Sequence, residues 1–251
     1  MKILMLDIET APHKVYTWGL WDQNIGINQI VEPGYTLCWA AKWYNKKKMH
    51  FASVVGGNEK GMLEEVHDLI SEADAVVHYN GTKFDMPTLN KEFLQESMPP
   101  PAPYHQIDLL RTMRQQFRLP SNKLDYVAQF LGLGSKVSHK GMPLWTGCMN
   151  GDPASWKTME KYNKGDVILL ERVYDRIKPW IKGHPNHALY KDIGEPVCIS
   201  CGSDHLQFRG EAHTKTMSYR RIQCMSCHAW MRQRTNCLSK DKKEHILVGV
   251  A

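Results

Sequence analysis

Ile3-Leu4-Met5-Leu6-Asp7-Ile8-Glu9-Thr10 is the stretch on which the fold turns. A short apolar run that ends in polar residues predicts a buried strand over residues 2–6. The run enters two carboxylates separated by one residue. Residues two apart on an extended chain point the same way, so Asp7 and Glu9 project together from the strand's end. A solvated strand exit accounts for this pair as readily as a site does. The decision rests on what else the chain offers.

Outward from that strand, Thr36 to Tyr44 and Met49 to Val55 predict two more strands, with Asn45-Lys46-Lys47-Lys48 as the turn between them. Gly56-Gly57-Asn58 breaks the chain before a helix with Met62, Leu63, Val66, Leu69 and Ile70 on one face. Ala75 to His78 reads as a strand and residues 84–97 as a helix with Pro87 near its first turn. Met98-Pro99-Pro100-Pro101-Ala102-Pro103 predicts an extended connector. Gln106 to Leu110 reads as a strand, and a helix is expected between Pro120-Ser121-Asn122 and Gly132. Residues 132–151 form a Gly-rich, irregular loop, long enough to carry function. Asp152-Pro153 starts a long helix running to about Trp180. Strands interspersed with helices give an α/β fold class.

Two further acidic positions matter. Asp85 closes Tyr79-Asn80-Gly81-Thr82-Lys83-Phe84-Asp85 at a loop-to-helix junction, where an acid is often an N-cap. Asn80 can hydrogen-bond a sugar or phosphate, and Phe84 can wedge against a base. Tyr162 and Asp166 are four apart on the long helix and share a face. Each site has a plain structural explanation in isolation. Their joint occurrence, in the order strand, loop–helix, long helix, does not. Carboxylates gathered from distant parts of a chain are how proteins hold two hard divalent cations for phosphodiester chemistry.

On these motifs the chain resembles the DEDD (DnaQ-like) 3′–5′ exonucleases, and most closely the proofreading exonuclease domain of family B DNA polymerases, as a free-standing unit. Asp7-Ile8-Glu9 matches the first motif, Asn80-x3-Phe84-Asp85 the second and Tyr162-Asn163-Lys164-Gly165-Asp166 the third, over roughly residues 1–182. Position 161 is lysine, and tyrosine stands four before the last acid, so the likeness is to the tyrosine (DEDDy) branch. His139 lacks the spacing that the histidine branch requires. The resemblance implies an RNase H-like mixed central sheet flanked by helices. It implies that Asp7, Glu9 and Asp166 hold one Mg²⁺ or Mn²⁺, with Asp7 bridging to a second ion and Asp85 completing the site. Tyr162 would orient the attacking water, its ordinary pKa of about 10 being too high for a base at neutral pH. Thr10, Asn80 and Phe84, with Lys136, Lys140 and Trp145 on the Gly-rich loop, are candidate substrate contacts. For the loop residues, a solvated loop with a packed Trp is the alternative. The implied partners are single-stranded DNA or DNA 3′ ends and a separate DNA polymerase or replication protein, in phage or bacterial replication, proofreading or recombination. An exoribonuclease on the same fold and a non-catalytic nucleic-acid-binding or polymerase-associated adaptor remain alternatives.

Cys198-x2-Cys201 and Cys224-x2-Cys227 are separated by 22 residues. Two such hooks are the pattern of a small four-cysteine zinc ribbon holding one structural Zn²⁺, with iron or idle thiols as alternatives. The expected domains are the exonuclease over 1–183, a linker over 184–196 and the ribbon over 197–251. The ribbon is too small to fold on apolar burial alone, so metal binding and folding are expected to be coupled. Of the formal net charge of +6, residues 191–251 carry +4, from ten Lys and Arg against six Asp and Glu. Arg220, Arg221 and Trp230 lead a set of basic and aromatic residues suited to single-stranded nucleic acid; a stabilising tail with solvated charges is the alternative. Cys38, Cys148 and Cys237 show no spacing pattern and are read as buried or idle thiols. No apolar run approaches membrane-spanning length, and the N-terminal run is too short for a signal peptide. A cytoplasmic protein is expected (in the host cytoplasm if phage-encoded), with no membrane partner.

Overall fold

The computed structural model describes residues 1–192 and 194–250. Ile193 of the expected linker and Ala251 of the expected ribbon lie outside the described residues. The chain divides into two compact units, Lys2–Asp175 and Arg176–Ala251 together with Met1.

The first unit holds a five-stranded mixed sheet. In chain order its elements are β1 (Ile3–Thr10), β2 (Lys14–Val15), β3 (Ile30–Glu32), β4 (Thr36–Trp43), β5 (Met49–Ser53), α1 (Glu59–Glu72), β6 (Ala75–His78), α2 (Asp85–Gln95), β7 (His105–Asp108), α3 (Leu109–Gln116), α4 (Leu124–Phe130), α5 (Met142–Met149) and α6 (Pro153–Ile177). The strand order is β5-β4-β1-β6-β7, while β2 and β3 form a separate two-stranded sheet that no sequence pattern had indicated. β4 runs antiparallel to both β1 and β5, and β6 and β7 extend the sheet in parallel with β1. Parallel neighbours need a crossover, and helices α1 and α2 occupy the two connections.

β1 is the central strand, and its alternation sorts the molecule. Leu4, Leu6 and Ile8 pack with Trp39 and Ala41 of β4 against Met62, Leu63, Val66 and Ile70 of α1 and Met86, Leu89 and Phe93 of α2. The intervening Asp7 and Glu9 therefore point to the opposite face. There α6 lies, its Met159 and Tyr162 packing with Leu37 and Cys38 of β4 and Leu144 and Cys148 of α5. The partners of the two acids across the ladder are small: Ala40 opposite Asp7 and Cys38 opposite Glu9. Space for a polar pocket is thus built into the register. α6 is tied to the sheet through the buried pair of Lys42 on β4 with Glu171, the Asn45 N–H to Glu171 Oε1 at 2.9 Å, and the Tyr44 hydroxyl to Asp175 at 2.6 Å.

Several sequence expectations need correction. β1 does not end before the acids but continues to Thr10, because it is paired on β4 along that whole length. The strand expected over Gln106–Leu110 stops at Asp108, whose side chain caps α3 by accepting the Arg111 N–H at 3.3 Å. Residues 132–151 are not wholly irregular. They contain α5, which opens with Pro143 in its first turn and carries no charged residue, so it lacks the polar face that reveals a helix in sequence. Asp85 is not the N-cap of α2 but its first residue; Phe84 occupies the cap position and makes no side-chain cap bond.

The second unit contains β8 (Leu206–His213), β9 (Ser218–Cys224) and β10 (Trp230–Asn236) in an antiparallel sheet of order β10-β9-β8, followed by the short α7 (Lys240–Glu244). Among the described residues, no helix is long and apolar enough to cross a membrane.

Candidate metal centres

Asp7 and Glu9 reach the site from the middle of the sheet, and Asp166 meets them from α6. One carboxylate oxygen from each lies within 4.8 Å of the others. Asp85 arrives from the first turn of α2. Its Oδ1 accepts the Ile8 N–H at 3.3 Å, which binds the helix start to the backbone between the two β1 acids. A turn delivers it there. Buried His78, the last residue of β6, accepts the Gly81 N–H on Nδ1 at 3.0 Å, which leaves Nε2–H to donate to Gln106 Oε1 at 3.3 Å. A side chain on Gly81 would meet the His78 ring at 2.4 Å, so the turn closes only on glycine. Asn80, in the same turn, adopts a positive φ of 72° and donates its N–H to Asp108 at 3.0 Å.

Burial holds all four carboxylates above their ordinary range, and neighbouring charges add to it at Asp7 and Glu9. Burial, then the charges of Glu9, Asp85 and Asp166, hold Asp7 well above the usual carboxylate range. Burial, with Asp166 beside it, pushes Glu9 up to about 8, and burial pushes Asp85 up to about 7. Asp166 is also raised, chiefly by burial and against the pull of Lys136. Such a cluster is poorly satisfied by protein alone. Asp166 Oδ1 is buried with no hydrogen-bond partner. Three grouped carboxylates, one of them with an orphan oxygen, are a donor set that fits a hard divalent cation.

Around the acids stand residues whose part the sequence did not reveal. Asn163, fully buried on α6, donates Nδ2–H to Asp7 Oδ2 at 2.7 Å and to the Asp7 carbonyl at 3.3 Å. Lys136 does not reach out to solvent from its loop. Its ammonium lies 2.5 Å from Asp166 Oδ2, 3.1 Å from the Tyr162 hydroxyl and 5.1 Å from the centre of the Tyr162 ring. The loop is anchored by Asp125, which accepts the Lys136 N–H at 2.7 Å. It also packs tightly on α6, where a side chain on Gly165 would meet Val137 at 3.1 Å. The Tyr162 phenol is raised further above its ordinary pKa, first by burial and then by Asp166, and so stays protonated. His139, set aside on spacing, is brought edge-on to Tyr162 at 4.8 Å and to Trp145 at 5.0 Å, with Nδ1 accepting the Gly141 N–H at 3.0 Å. A cleft of about 670 Å³ opens beside this group, lined by Asp7, Tyr79, Arg114, Lys123, Lys136, His139 and Tyr162 among others.

The remaining substrate candidates scatter. Trp145 is half-buried, its ring edge-on to His139 at 5.0 Å and to Tyr162 at 6.1 Å. Thr10 ends β1 opposite Thr36, and Phe84 is half-exposed at the start of α2. Lys140 is exposed and lines a separate cleft with Pro143, Asp152 and Ser155.

In the second unit, all four sulfurs of Cys198, Cys201, Cys224 and Cys227 lie within 4.8 Å of one another. Cys198 and Cys227 are 3.5 Å apart and Cys201 and Cys224 3.7 Å, far longer than a disulfide. A tetrahedral ion with metal–sulfur bonds of about 2.3 Å sets its ligands about 3.8 Å apart, so the spacing fits such an ion. Each hook is followed by a residue of positive φ, Gly202 at 72° and His228 at 66°. Cys38 and Cys148 are buried in the first unit, and Cys237 is exposed and outside the cluster.

The geometry has counterparts among known proteins. The structure of the family B DNA polymerase from the hyperthermophilic archaeon Pyrobaculum calidifontis is similar, with a TM-score of 0.54 and 18% sequence identity, over 71% of this chain and 24% of the polymerase. That likeness is one of fold. No curated protein matches the chain. The family RNase_H_2, described as RNase_H superfamily, matches residues 4–178, which include all of the mixed sheet but Ile3 and every residue of the acidic cluster. The chain belongs to the RNase H superfamily.

Proposed function

We propose that this protein is a metal-dependent 3′–5′ exonuclease of the tyrosine branch, acting mainly on single-stranded DNA. The observation that carries the reading is the cluster itself: Asp7, Glu9 and Asp166 within 4.8 Å, with Asp166 Oδ1 buried and unpartnered. Asp7, Glu9 and Asp166, with Asp85 behind them, would hold two Mg²⁺ or Mn²⁺. When bound, such ions activate water toward a phosphodiester and stabilise the departing 3′ oxygen.

The protein's own residues have separable tasks. Asn163 holds Asp7 in one rotamer from behind, the support that metal-binding carboxylates commonly need. Tyr162 remains a phenol, so it orients the attacking water by hydrogen bonding and does not act as a base. Lys136 fixes the Tyr162 hydroxyl relative to Asp166. The four-cysteine cluster would take one Zn²⁺ in a closed structural role, leaving no position for water. A part in phage or bacterial DNA replication, proofreading or recombination, alongside a separate polymerase, accords with this reading.

The test is hydrolysis of labelled single-stranded DNA and RNA of one sequence, with Mg²⁺ or Mn²⁺, by the wild type and by Asp7→Ala and Asp166→Ala. Faster hydrolysis of DNA is expected, with losses of about 10³-fold or more in either variant while the fold is kept. Full activity in a folded Asp166→Ala protein would rule the assignment out, and faster hydrolysis of RNA would reassign the substrate.

A further inference from the structure

Three arginine–aromatic pairs stand on the sheet of the second unit, and the strand register divides them between its faces. Along β9, Arg220, Ile222 and Cys224 point one way, and Tyr219, Arg221 and Gln223 the other. The pairs Cys224 with Leu206, Ile222 with Phe208 and Met231, and Arg220 with Glu211 belong to the first face. That face is built around the cysteines, since Leu206 and Met231 pack against Cys198 and Cys224. Arg220 lies there, 5.5 Å over Phe208. The second face pairs Gln223 with Gln207 and Trp230, and Arg221 with Arg232. It carries no carboxylate along these positions. Arg221 sits 5.2 Å over the Trp230 ring, and Arg232 sits 3.8 Å over the Tyr219 ring. Trp230 is 51% exposed, and Arg221, Arg232 and Arg234 are exposed.

Among the described residues, no Asp or Glu pairs with Arg221, Arg232 or Arg234. Arg221 donates to the Arg209 carbonyl at 2.8 Å and Arg232 to the Gln233 carbonyl at 3.2 Å. A guanidinium laid on a ring and left without a counter-ion presents positive charge and flat apolar surface side by side. Nucleobases stack on such planes, and phosphates take the remaining N–H groups. A duplex keeps its base faces hidden, so the surface suits an unpaired strand.

We propose that this face, centred on Tyr219, Arg221, Trp230 and Arg232, is a platform for single-stranded nucleic acid, built from the second unit alone. Binding is measured without hydrolysis, so the outcome is independent of the nuclease reading. The full chain carrying Asp166→Asn is titrated against a fluorescent oligothymidylate of about 20 nucleotides, longer than one binding site, and against a duplex of the same length, at several salt concentrations. Replacing both arginines (R221Q/R232Q) is expected to weaken strand binding about tenfold. It should also flatten the logarithmic salt dependence by about 1.4, for two lost phosphate contacts. The R221K/R232K pair, which keeps both charges, is expected to restore the salt slope and part of the affinity. Unchanged strand affinity in R221Q/R232Q would overturn the proposal and leave the face for a protein partner. Equal loss on strand and duplex would overturn its single-strand character. Failure of the lysine pair to restore the slope would assign the loss to damaged structure and overturn it as well.

Discussion

Asn163 shows how a site residue can be decisive in space and silent in sequence. It sits between Tyr162 and Lys164 as one more polar residue of a long helix, yet it is fully buried and holds Asp7 by its side chain. Asn163→Ala would leave a buried carboxylate oxygen without its donor and let Asp7 turn. Activity is expected to fall 10- to 100-fold, on the order typical of residues that support metal ligands, with a higher divalent-ion requirement in a metal titration of the rate. Tyr162→Phe removes the hydroxyl and keeps the ring on which His139 and Trp145 pack. Hydrolysis should slow while DNA affinity stays the same; equal loss of both in a binding and turnover comparison would mark the tyrosine as structural. The acids were legible because an apolar run ending in Asp-x-Glu, and a tyrosine four before an aspartate, are patterns of spacing. Lys136 was legible only as a substrate contact and His139 not at all, because they come from a loop without periodicity, and only tertiary packing turns them toward Asp166 and Tyr162. For Trp145 the sequence left a substrate contact and a packed aromatic side by side, and it is the tertiary fold that sets the ring edge-on to His139 and Tyr162.

At the scale of elements, the strands and most helices followed from period and breakers. What escaped was set by context. α5 lacks a polar face, and the start of α3 is fixed by the side chain of Asp108, which also serves the turn at Asn80. The two elements that bring Asp166 and Asp85 to β1 are each held by a specific device. Glu171, paired with the buried Lys42 and with the Asn45 N–H, aligns α6 on the sheet. Glu171→Ala leaves Lys42 uncompensated and is expected to cost about 3 kcal/mol, read from urea unfolding. Gly81→Ala drives a methyl into the His78 ring and should displace α2 from Ile8, lowering both stability and activity. A variant as stable and active as the wild type would show that the turn tolerates a side chain.

For the whole molecule, the buried carboxylates predict a stability that depends on pH and, if they take the proposed ions, on metal as well. With Glu9 near 8 and Asp85 near 7 in the folded protein, both bind protons more tightly folded than unfolded. In metal-free protein their contribution is fully present below about pH 4 and is lost as pH rises through 7 and 8. The melting temperature of the first unit should therefore fall between about pH 5 and 9 without divalent ions and hold much flatter with Mg²⁺. A metal-free profile that rises over this range would contradict the raised carboxylates. For the second unit, the proposed Zn²⁺ at its four cysteines predicts that a zinc chelator, or Cys198→Ser, melts its sheet, seen by loss of amide protection in β8–β10.

The direction of hydrolysis and its dependence on metal are both read in one time course. Single-stranded DNA labelled at the 5′ end is incubated with the protein, with Mg²⁺ and with chelator. A 3′–5′ exonuclease gives a ladder that shortens one nucleotide at a time from the 3′ end, only with Mg²⁺. Release of the labelled 5′ nucleotide at the outset, or shortening that proceeds without a divalent ion, would contradict it.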